Sequence, residues 1–525
     1  MHNKKLKKIK FTITIFVAMA VLAMVGGILI FKNNYYLSQE FLLMQGNFVK
    51  AKWEYASYAG GYKNLFTGKL KEKNTEDKQE DAQSVPVLLY HGIIEDPNWK
   101  PDGVNISLEE FKKQMFTLKK AGYQTITLED FYSFMQEEKK LPKKSLLITF
   151  DDGRSDSFYP SDPIFHALDY NAVMFVITGR SLGKGNEKSV FHLSKTELQG
   201  MKATGRWEFG SHTQNGHNTE KIDENGNQGH FMSDKLWLDA QNRLETDEEY
   251  TLRIKKDLAA SKEDLKNNLG ISALAFAYPF GDYGHNTQNN PTSEEIIKNN
   301  VSDIFPLSFR QSGASEFPAN YAGKDFKLVK RINMDSDISA SKLLFILEGN
   351  EKKTFPYADS FSEDRGWITG WGKSSLENGL LLTGASESED SSLTFLGGTF
   401  LWRDYSISAN AKFIKGNSFS VIGRYISGNN YVSCDFSNFG VSLTERVKGE
   451  ERIISESAKP LALISGTDLS VGMSTKGDQA SCLIEGKALV SGKLSSDLSH
   501  GGIGFKTWDN SINNSSILIS NLDVK

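Results

Sequence analysis

The feature that most constrains this chain is a series of short apolar runs that alternate with longer amphipathic stretches between about Val85 and Asp335. The runs have the length of a strand and do not alternate polar with apolar residues, which predicts strands buried on both faces. Repeated alternation of such strands with helices indicates a parallel sheet or a β/α barrel. The six predicted strands are Val85–Tyr90, Ser145–Phe150, Asn171–Ile177, Arg206–Ser211, Ala273–Tyr278 and Phe326–Ile332.

Helix start signals lie between these strands. Ser107 with Glu110, and Ser194 with Glu197, have the spacing of a capping box, in which the two residues satisfy each other's backbone N–H groups. We therefore assign residues 85–348 to one α/β domain.

The N-terminus predicts a membrane anchor. Residues 11–31 are apolar and carry no charge, and their length suits a spanning helix of about 20 residues. Five lysines precede them within residues 1–10, so the positive-inside rule keeps that tail in the cytoplasm and places the rest outside. We expect a single-pass protein of the cell membrane with an extracytoplasmic catalytic domain. Cleavage after Ala18-Met19-Ala20 is the alternative.

Two further regions differ in composition from the α/β segment. Residues 32–84 combine an aromatic stem with a charged linker that is predicted to be solvated. Residues 355–525 contain many short strand-like runs separated by Gly, Asn, Ser and Asp, which is typical of an all-β sandwich or jelly roll. We expect this second domain either to bind sugars through its tryptophans or to serve as a spacer or protein-interaction module; the tryptophans are Trp367, Trp371, Trp402 and Trp508.

Charge and cysteine content restrict the partners and the chemistry. The 525-residue chain has a net charge of −4 and a pI near 6.2, so it lacks the basic excess with which nucleic-acid-binding proteins contact phosphates. Its two cysteines, Cys434 and Cys482, argue against a cysteine-based metal site. The sequence leaves open whether they form a disulfide or remain as two buried thiols.

A pair of adjacent carboxylates follows the second predicted strand. Asp151 and Asp152 precede Gly153, which allows a sharp turn. Adjacent carboxylates at the end of a buried strand are costly unless they are used or solvated. Because successive strand side chains point in opposite directions, the two face different partners. An ordinary Asp-Asp-Gly turn is the alternative.

Two histidines follow the fourth predicted strand. His212 and His217 are five residues apart, so they converge only if the chain turns, and Asn215-Gly216 between them is a turn signal. Two histidines and a carboxylate with open positions are typical of a catalytic metal site. A pair of surface loop histidines is the alternative.

Two more strand ends carry residues suited to chemistry. The segment Ala277–Asp282 is a rigid turn that contains Phe280 and could direct a backbone N–H towards a developing oxyanion. His91 follows the first strand, and a histidine can act as a general acid because its pKa is near 7. Taken alone, each is better explained by a structural role.

Together these motifs resemble the polysaccharide deacetylase (NodB-homology) family of carbohydrate esterases. The matching stretches, in the family's order, are ITFDDG (Ile148–Gly153), GSHTQNGH (Gly210–His217) and FAYPFG (Phe276–Gly281). The opening VPVLLYHGI and the segment WEFGSHTQNGH look most like the branch that deacetylates the biofilm exopolysaccharide poly-N-acetylglucosamine. The resemblance covers Val85 to Asp335 and implies an irregular β/α barrel with fewer than eight repeats.

The resemblance also implies a role for each matching residue. Asp151 corresponds to the catalytic base, and Asp152, His212 and His217 correspond to the ligands of a divalent metal, most commonly zinc. Phe280 lies where the family supplies a backbone N–H to the oxyanion. The implied reaction is hydrolytic removal of N-acetyl groups from an extracellular N-acetylhexosamine polysaccharide.

Two positions depart from the family's pattern. Many relatives carry an arginine that orients the catalytic base where this chain has Ala277, and Arg331 or another cation is the expected substitute. The late histidine that serves many relatives as general acid is missing, and His91 matches the position that takes this role in the biofilm branch.

Two other functions stay open at this point. One is the same chemistry on peptidoglycan, and the other is a non-catalytic surface protein that binds polysaccharide. The two departures favour the second, and the intact Asp and His set disfavours it. The sequence also leaves open whether the protein acts alone or beside a polysaccharide synthase and export complex.

Overall fold

A computed structural model describes residues 35–59, 81–183, 191–323, 326–384, 390–457, 459–512 and 514–525. The predicted cytoplasmic tail and anchor, residues 1–31, lie outside these ranges, as does most of the charged linker. Within them, no helix combines the length and the apolar character needed to cross a membrane. The chain forms two compact units, one up to Gln311 together with Tyr321–Ala340, the other Ser312–Asn320 together with Ser341–Lys525.

The first unit is built around seven parallel strands that close into a barrel. Their pairing order is β1-β7-β6-β5-β4-β3-β2, and β2 pairs again with β1. The predicted β/α barrel with fewer than eight repeats is therefore confirmed. The strands are β1 (Ser84–Tyr90), β2 (Ser145–Phe150), β3 (Ala172–Val176), β4 (Trp207–Ser211), β5 (Ala275–Ala277), β6 (Leu307–Gln311) and β7 (Val329–Asn333).

Six of these strands coincide with the six predicted runs, and β6 was not predicted. In β6 the apolar Leu307 and Phe309 alternate with Ser308 and Arg310, so the segment lacks the continuous apolar run of its neighbours. Leu307 and Phe309 point into the barrel core beside Val329. The barrel is thus closed by a strand whose pattern is that of a half-exposed sheet.

Eight of the nine described helices belong to the barrel unit, and capping residues mark where some of them begin. Ser194 and Glu197 form the predicted capping box. The Ser107 hydroxyl accepts the backbone N–H of Glu110. The Glu110 carboxylate accepts the N–H of Ala340 and not that of Ser107, so only one of the two hydrogen bonds of this capping box forms. The helices are Tyr35–Ala59 (α1), Leu108–Lys120 (α2), Leu128–Met135 (α3), Ser155–Leu168 (α4), Thr178–Ser181 (α5), Lys195–Ala203 (α6), Asp247–Leu269 (α7), Ser293–Ile304 (α8) and Ala340–Gly349 (α9).

Short elements complete the described chain. They include the 3₁₀ turns Pro279–Gly281 and Ser496–Leu498 and the short strands Ile93–Ile94, Ile106–Ser107, Gln124–Thr125, Thr219–Lys221, Gln228–His230, Trp237–Leu238, Arg243–Leu244 and Ala319–Tyr321.

Helix α1, in the predicted stem, packs on the outside of the barrel. Its Tyr55 is buried and its ring lies 5.4 Å from that of Phe116 in α2. The Phe48 ring stacks on His166 of α4 at 3.9 Å. The stem segment is therefore part of the barrel unit.

The second unit is an all-β sandwich, as predicted. Two antiparallel sheets enclose one apolar core. The eight-stranded sheet contains Tyr357–Asp359, Lys373–Leu376, Leu380–Thr383, Tyr405–Lys415, Asp468–Lys476, Gln479–Ile484, Lys487–Lys493 and Ser516–Val524; the seven-stranded sheet contains Trp367–Trp371, Asp390–Leu396, Ser418–Ser427, Asn430–Ser437, Gly440–Val447, Glu450–Ser457 and Gly502–Asp509.

A disulfide and two tryptophans lie in the sandwich core. Cys434 of one sheet bonds to Cys482 of the other, and both are fully buried. Trp367 and Trp402 are buried among the core side chains. Of the four tryptophans, Trp371 and Trp508 are the two that are partly exposed and could contact a sugar.

Candidate active site

All the predicted site residues lie at one end of the barrel. Parallel strands bring their C-terminal ends to the same face, which is where β/α barrels carry active sites. His91 follows β1, Asp151 and Asp152 follow β2, His212 follows β4, and Phe280 lies three residues beyond β5. Residues up to 189 positions apart in sequence are thereby collected into one site.

Three of these residues form a cluster that could hold a metal. One ligand atom each from Asp152, His212 and His217 lies within 4.8 Å of the other two. Asp152 Oδ1 is 3.3 Å from His217 Nε2 and 3.6 Å from His212 Nε2. Tetrahedral zinc with bonds of about 2.0–2.2 Å sets neighbouring ligand atoms about 3.3–3.6 Å apart. The spacing therefore fits a divalent ion.

An unsatisfied polar atom supports the same fit. Asp152 Oδ1 is buried and makes no hydrogen bond with any residue that the structure describes. A buried oxygen without a partner is costly, and native proteins rarely leave one unexplained. The Asp152 backbone also has φ of +73°, an uncommon conformation for a non-glycine residue, which Asp adopts more readily than most. Both observations are accounted for if this oxygen faces an ion.

The protonation states of the cluster suit metal ligation. Burial alone would raise the pKa of Asp152, but the close approach of His217 and the charges of the nearby histidines hold it well below its usual range. Burial lowers the pKa of His212 to about 4. A metal is bound by an ionised carboxylate and a neutral imidazole, and these pKa directions deliver both in Asp152 and His212 near neutral pH.

A hydrogen bond at its second ring nitrogen orients His212. Its Nδ1 lies 2.8 Å from the carbonyl oxygen of Ala277, which leaves Nε2 facing Asp152. Such a bond from a ligand histidine to a carbonyl sets its tautomer and ring orientation.

The loop between the two histidines is held by a residue that sequence analysis did not single out. Asp257 of α7 accepts the backbone N–H groups of Gln214 and Asn215 at 3.0 and 2.7 Å. A side chain at Gly216 would lie within 2.9 Å of Thr213 atoms, so only glycine fits this turn. Asp257 lies 40 residues beyond His217, in a charged helix where one more aspartate carries no signal of its own.

Asp151 is paired with Arg331, the substitute expected for the arginine missing at Ala277. Arg331 Nη1 and Nη2 donate to the two oxygens of Asp151 at 2.6 and 2.7 Å. Both side chains are essentially inaccessible to solvent. Arg331 projects from β7 into the barrel, and its guanidinium lies 5.4 Å from the ring centre of Phe175. Burial would raise the pKa of Asp151, but the Arg331 charge lowers it, so the carboxylate stays ionised.

His91 lies beside the two carboxylates. Burial lowers its pKa, and the charges of Asp151 and Asp152 oppose that effect. Its Nδ1 is buried and has no hydrogen-bond partner in the described part of the chain. The Ser157 hydroxyl donates to the His91 carbonyl at 2.7 Å, which anchors the backbone at the strand end.

Phe280 has a strained backbone and an exposed ring. Its φ is +58°, in the left-handed region that bulky residues rarely adopt. Within the described residues no acceptor takes its backbone N–H. Its ring is 41% exposed and lies 4.3 Å from the ring of His217. This residue therefore lines the site next to a potential metal ligand.

The catalytic part of the barrel unit is similar to a known protein family. Residues 138–293 match the family model described as polysaccharide deacetylase. The match contains Asp151, Asp152, His212, His217 and Phe280, whereas His91 and Arg331 lie outside it. Residues 138–293 are therefore similar to a polysaccharide deacetylase domain, in agreement with the resemblance drawn from the motifs.

Individual relatives are more specific. The poly-β-1,6-N-acetyl-D-glucosamine N-deacetylase of Staphylococcus aureus (strain MRSA252) is 31% identical over 34% of this chain and 54% of its own length. That of Staphylococcus epidermidis (strain ATCC 35984) is 30% identical over 39% of this chain and 62% of its own. The chain thus spans about half the length of the curated relatives it matches first.

Solved structures are similar at lower identity. A de-N-acetylase from Aggregatibacter actinomycetemcomitans is 20% identical, with a TM-score of 0.43, and covers 50% of this chain and 99% of its own. IcaB from Ammonifex degensii is 24% identical, with a TM-score of 0.38, and covers 51% and 98%.

Proposed function

We propose that the protein is a metal-dependent N-deacetylase that hydrolyses N-acetyl groups of an extracytoplasmic polysaccharide, with poly-β-1,6-N-acetyl-D-glucosamine as the first substrate to test. The observation that carries the proposal is the cluster of Asp152, His212 and His217 beside the Asp151–Arg331 pair. The similarity to two poly-β-1,6-N-acetyl-D-glucosamine N-deacetylases supports the choice of polymer.

The three clustered residues would hold the ion. Two imidazoles and one carboxylate with open positions favour zinc. When bound, the ion supplies Lewis-acid activation of a water molecule and of the acetyl carbonyl.

The chain's own residues then handle protons and charge. Asp151, kept ionised by Arg331, accepts a proton from the attacking water. The backbone N–H of Phe280 donates to the oxyanion that develops on the acetyl carbonyl. His91 donates a proton to the leaving amine, and acetate departs. Water adds across the amide C–N bond, so the products are acetate and a free amine.

Location outside the cell rests on two features. The apolar run 11–31 after a lysine-rich tail predicts a single-pass anchor in the cell membrane. The disulfide between Cys434 and Cys482 fits an oxidising compartment, because disulfides are rare in the cytosol. Each amine released there becomes a positive charge on a formerly neutral polymer, which increases adhesion to anionic surfaces.

The test is acetate release from defined poly-N-acetylglucosamine oligomers by the full-length chain in mild detergent, with zinc and with chelator. The full chain is used because α1 packs on the barrel. Asp151→Asn should abolish release, whereas Asp162→Asn should not. Asp162 is also a buried aspartate paired with an arginine, Arg206, but that pair lies where β4 begins.

Each outcome separates a different part of the proposal. Zinc-dependent release that is lost in Asp151→Asn supports both activity and substrate. Acetate release from peptidoglycan fragments but not from poly-N-acetylglucosamine would change the proposed substrate and still support the proposed reaction. Absence of both release and bound zinc would contradict the proposal and favour a polysaccharide-binding protein.

A further inference from the structure

The two histidines of the metal cluster are held in different ways. His212 is oriented by the hydrogen bond between its Nδ1 and the Ala277 carbonyl. His217 faces Asp152 through Nε2, but in residues 81–183 and 191–323 no group forms a hydrogen bond with its Nδ1. A ligand histidine usually relies on such a bond for its orientation. The described contacts that bear on the orientation of the His217 ring are those with other aromatic rings.

Those contacts come from a row of three rings, called the three-ring stack below, in which the His217 ring is tilted against Phe280 and the His230 ring lies parallel to it. The Phe280 ring lies 4.3 Å from the ring of His217 at an interplanar angle of 46°. On the other side it stacks on His230, with centroids 4.4 Å apart and planes within 13° of parallel. His230 comes from the short strand Gln228–His230, outside the motifs noted in the sequence.

Asp282 anchors the far end of the stack. It is 1% exposed, and its Oδ2 lies 2.9 Å from His230 Nδ1 and accepts the Ser233 hydroxyl at 2.7 Å. Burial would raise the pKa of Asp282, but these hydrogen bonds lower it, so it stays an anion and Nδ1 of His230 donates. The His230 ring is thus fixed to a buried, ionised residue.

We propose that Asp282 and His230 are positioning residues that orient the metal ligand His217 through the ring of Phe280. The inference rests on the proposed function, because it concerns the same metal. Phe280 is 41% exposed, so its ring would be free to turn if His230 did not cover one face. With that face covered, the Phe280 ring keeps one orientation against the ring of His217. The three-ring stack thus orients the ring of His217, as the Ala277 carbonyl orients the ring of His212.

The test measures zinc affinity of the metal-free, full-length protein by competition with a chromogenic chelator. His230→Ala removes one ring of the stack and should weaken zinc binding about tenfold, the lower end of the effect of losing an outer-shell partner. His230→Phe keeps a stacking ring but loses the bond to Asp282, so it should bind zinc more tightly than His230→Ala and more weakly than the unaltered protein. This partial rescue distinguishes ring packing from a hydrogen-bond or charge effect.

A matched control comes from the other histidine beside Asp282. His285 Nδ1 lies 3.4 Å from Asp282 Oδ1, but its ring stacks on Tyr283 and takes no part in the three-ring stack. His285→Ala should therefore leave zinc affinity unchanged. Thermal unfolding of each metal-free variant verifies that a loss of affinity does not come from a loss of folding.

The results divide cleanly. Unchanged zinc affinity in His230→Ala, or equal weakening in His230→Phe, overturns the positioning role. If the unaltered protein binds zinc and releases acetate while His230→Ala matches it in both, only this inference fails. If the unaltered protein binds no zinc, the proposed function fails first.

Discussion

The ion pair between Arg331 and Asp151 offers the sharpest test of how the barrel holds Asp151, the proposed catalytic base, in its ionised form. Arg331→Met removes the guanidinium and keeps a long apolar side chain next to Phe175 and Phe309. Asp151 would then be a buried carboxylate without its cation. The variant should unfold more easily and should lose activity.

The expected magnitude follows from the geometry. With both N–O distances below 3 Å, the charge centres lie about 4 Å apart, and at an effective dielectric of about 20 such charges interact by about 4 kcal/mol. Breaking a buried pair by removing one partner typically costs about 3–5 kcal/mol. We therefore expect the free energy of unfolding to fall by about 4 kcal/mol at pH 7.

The effect has a defined dependence on pH. The pKa of Asp151 in the folded protein is below its usual value, so the pair's stabilisation is present above the ordinary aspartate pKa and is lost as the pH falls through the folded pKa. The stability difference between the unaltered protein and Arg331→Met should therefore become smaller as the pH falls. In the variant burial raises the pKa of Asp151, so activity should partly recover at higher pH.

The assay is urea unfolding of the metal-free protein, together with acetate release measured against pH. Arg206→Met is the control, because Arg206 also binds an aspartate, Asp162, through two N–H groups. It should cost less stability, since Arg206 is more exposed than Arg331, and it should leave the pH profile of activity unchanged. An Arg331→Met protein with unaltered stability and pH profile would refute this reasoning.

Three further predictions concern other parts of the molecule. His91→Ala should lower kcat by about 10²–10⁴-fold while metal content, measured by elemental analysis, stays unchanged; loss of metal would contradict its role as an acid. Replacing both Cys434 and Cys482 by alanine should lower the sandwich's free energy of unfolding by about 2–4 kcal/mol in urea; an equal midpoint would show that the bond is dispensable. Burial lowers the pKa of Lys353 from its ordinary value of 10.5 to about 8. Between these two pH values the folded protein therefore binds fewer protons than the unfolded chain. Stability should therefore rise with pH across that interval, and Lys353→Met should abolish the rise in pH-dependent calorimetry.

The site could be located from sequence because its main residues occur in local motifs. Asp151 and Asp152 end an apolar strand, and His212 and His217 flank a turn, so the residue types and the strand ends together indicate a metal site. The parallel arrangement of strands then requires that these ends meet. No knowledge of side-chain packing was needed for this step.

Other elements gave only a partial signal or none. β6 was missed because its two apolar residues alternate with polar ones, and a barrel interior can be filled by every second side chain. Arg331 could be named only as one possible cationic partner of Asp151, because it lies 180 residues further along the chain. The sequence of its strand also contains no motif that marks this arginine as part of the site. The cysteine pair was undecided because only the facing of two sheets brings Cys434 next to Cys482.

By itself the sequence determined the α/β and all-β organisation, the ends of most barrel strands and the residue types at the site, because these depend on periodicity and short spacing. The tertiary structure alone decided which distant side chains complete the site: Arg331 on Asp151, Asp257 on the histidine loop, and His230 with Asp282 behind Phe280. These partners are chosen by barrel closure and loop packing, which bring together residues whose separation along the chain carries no pattern. Their contribution is therefore visible only where burial, distance and charge can be measured together.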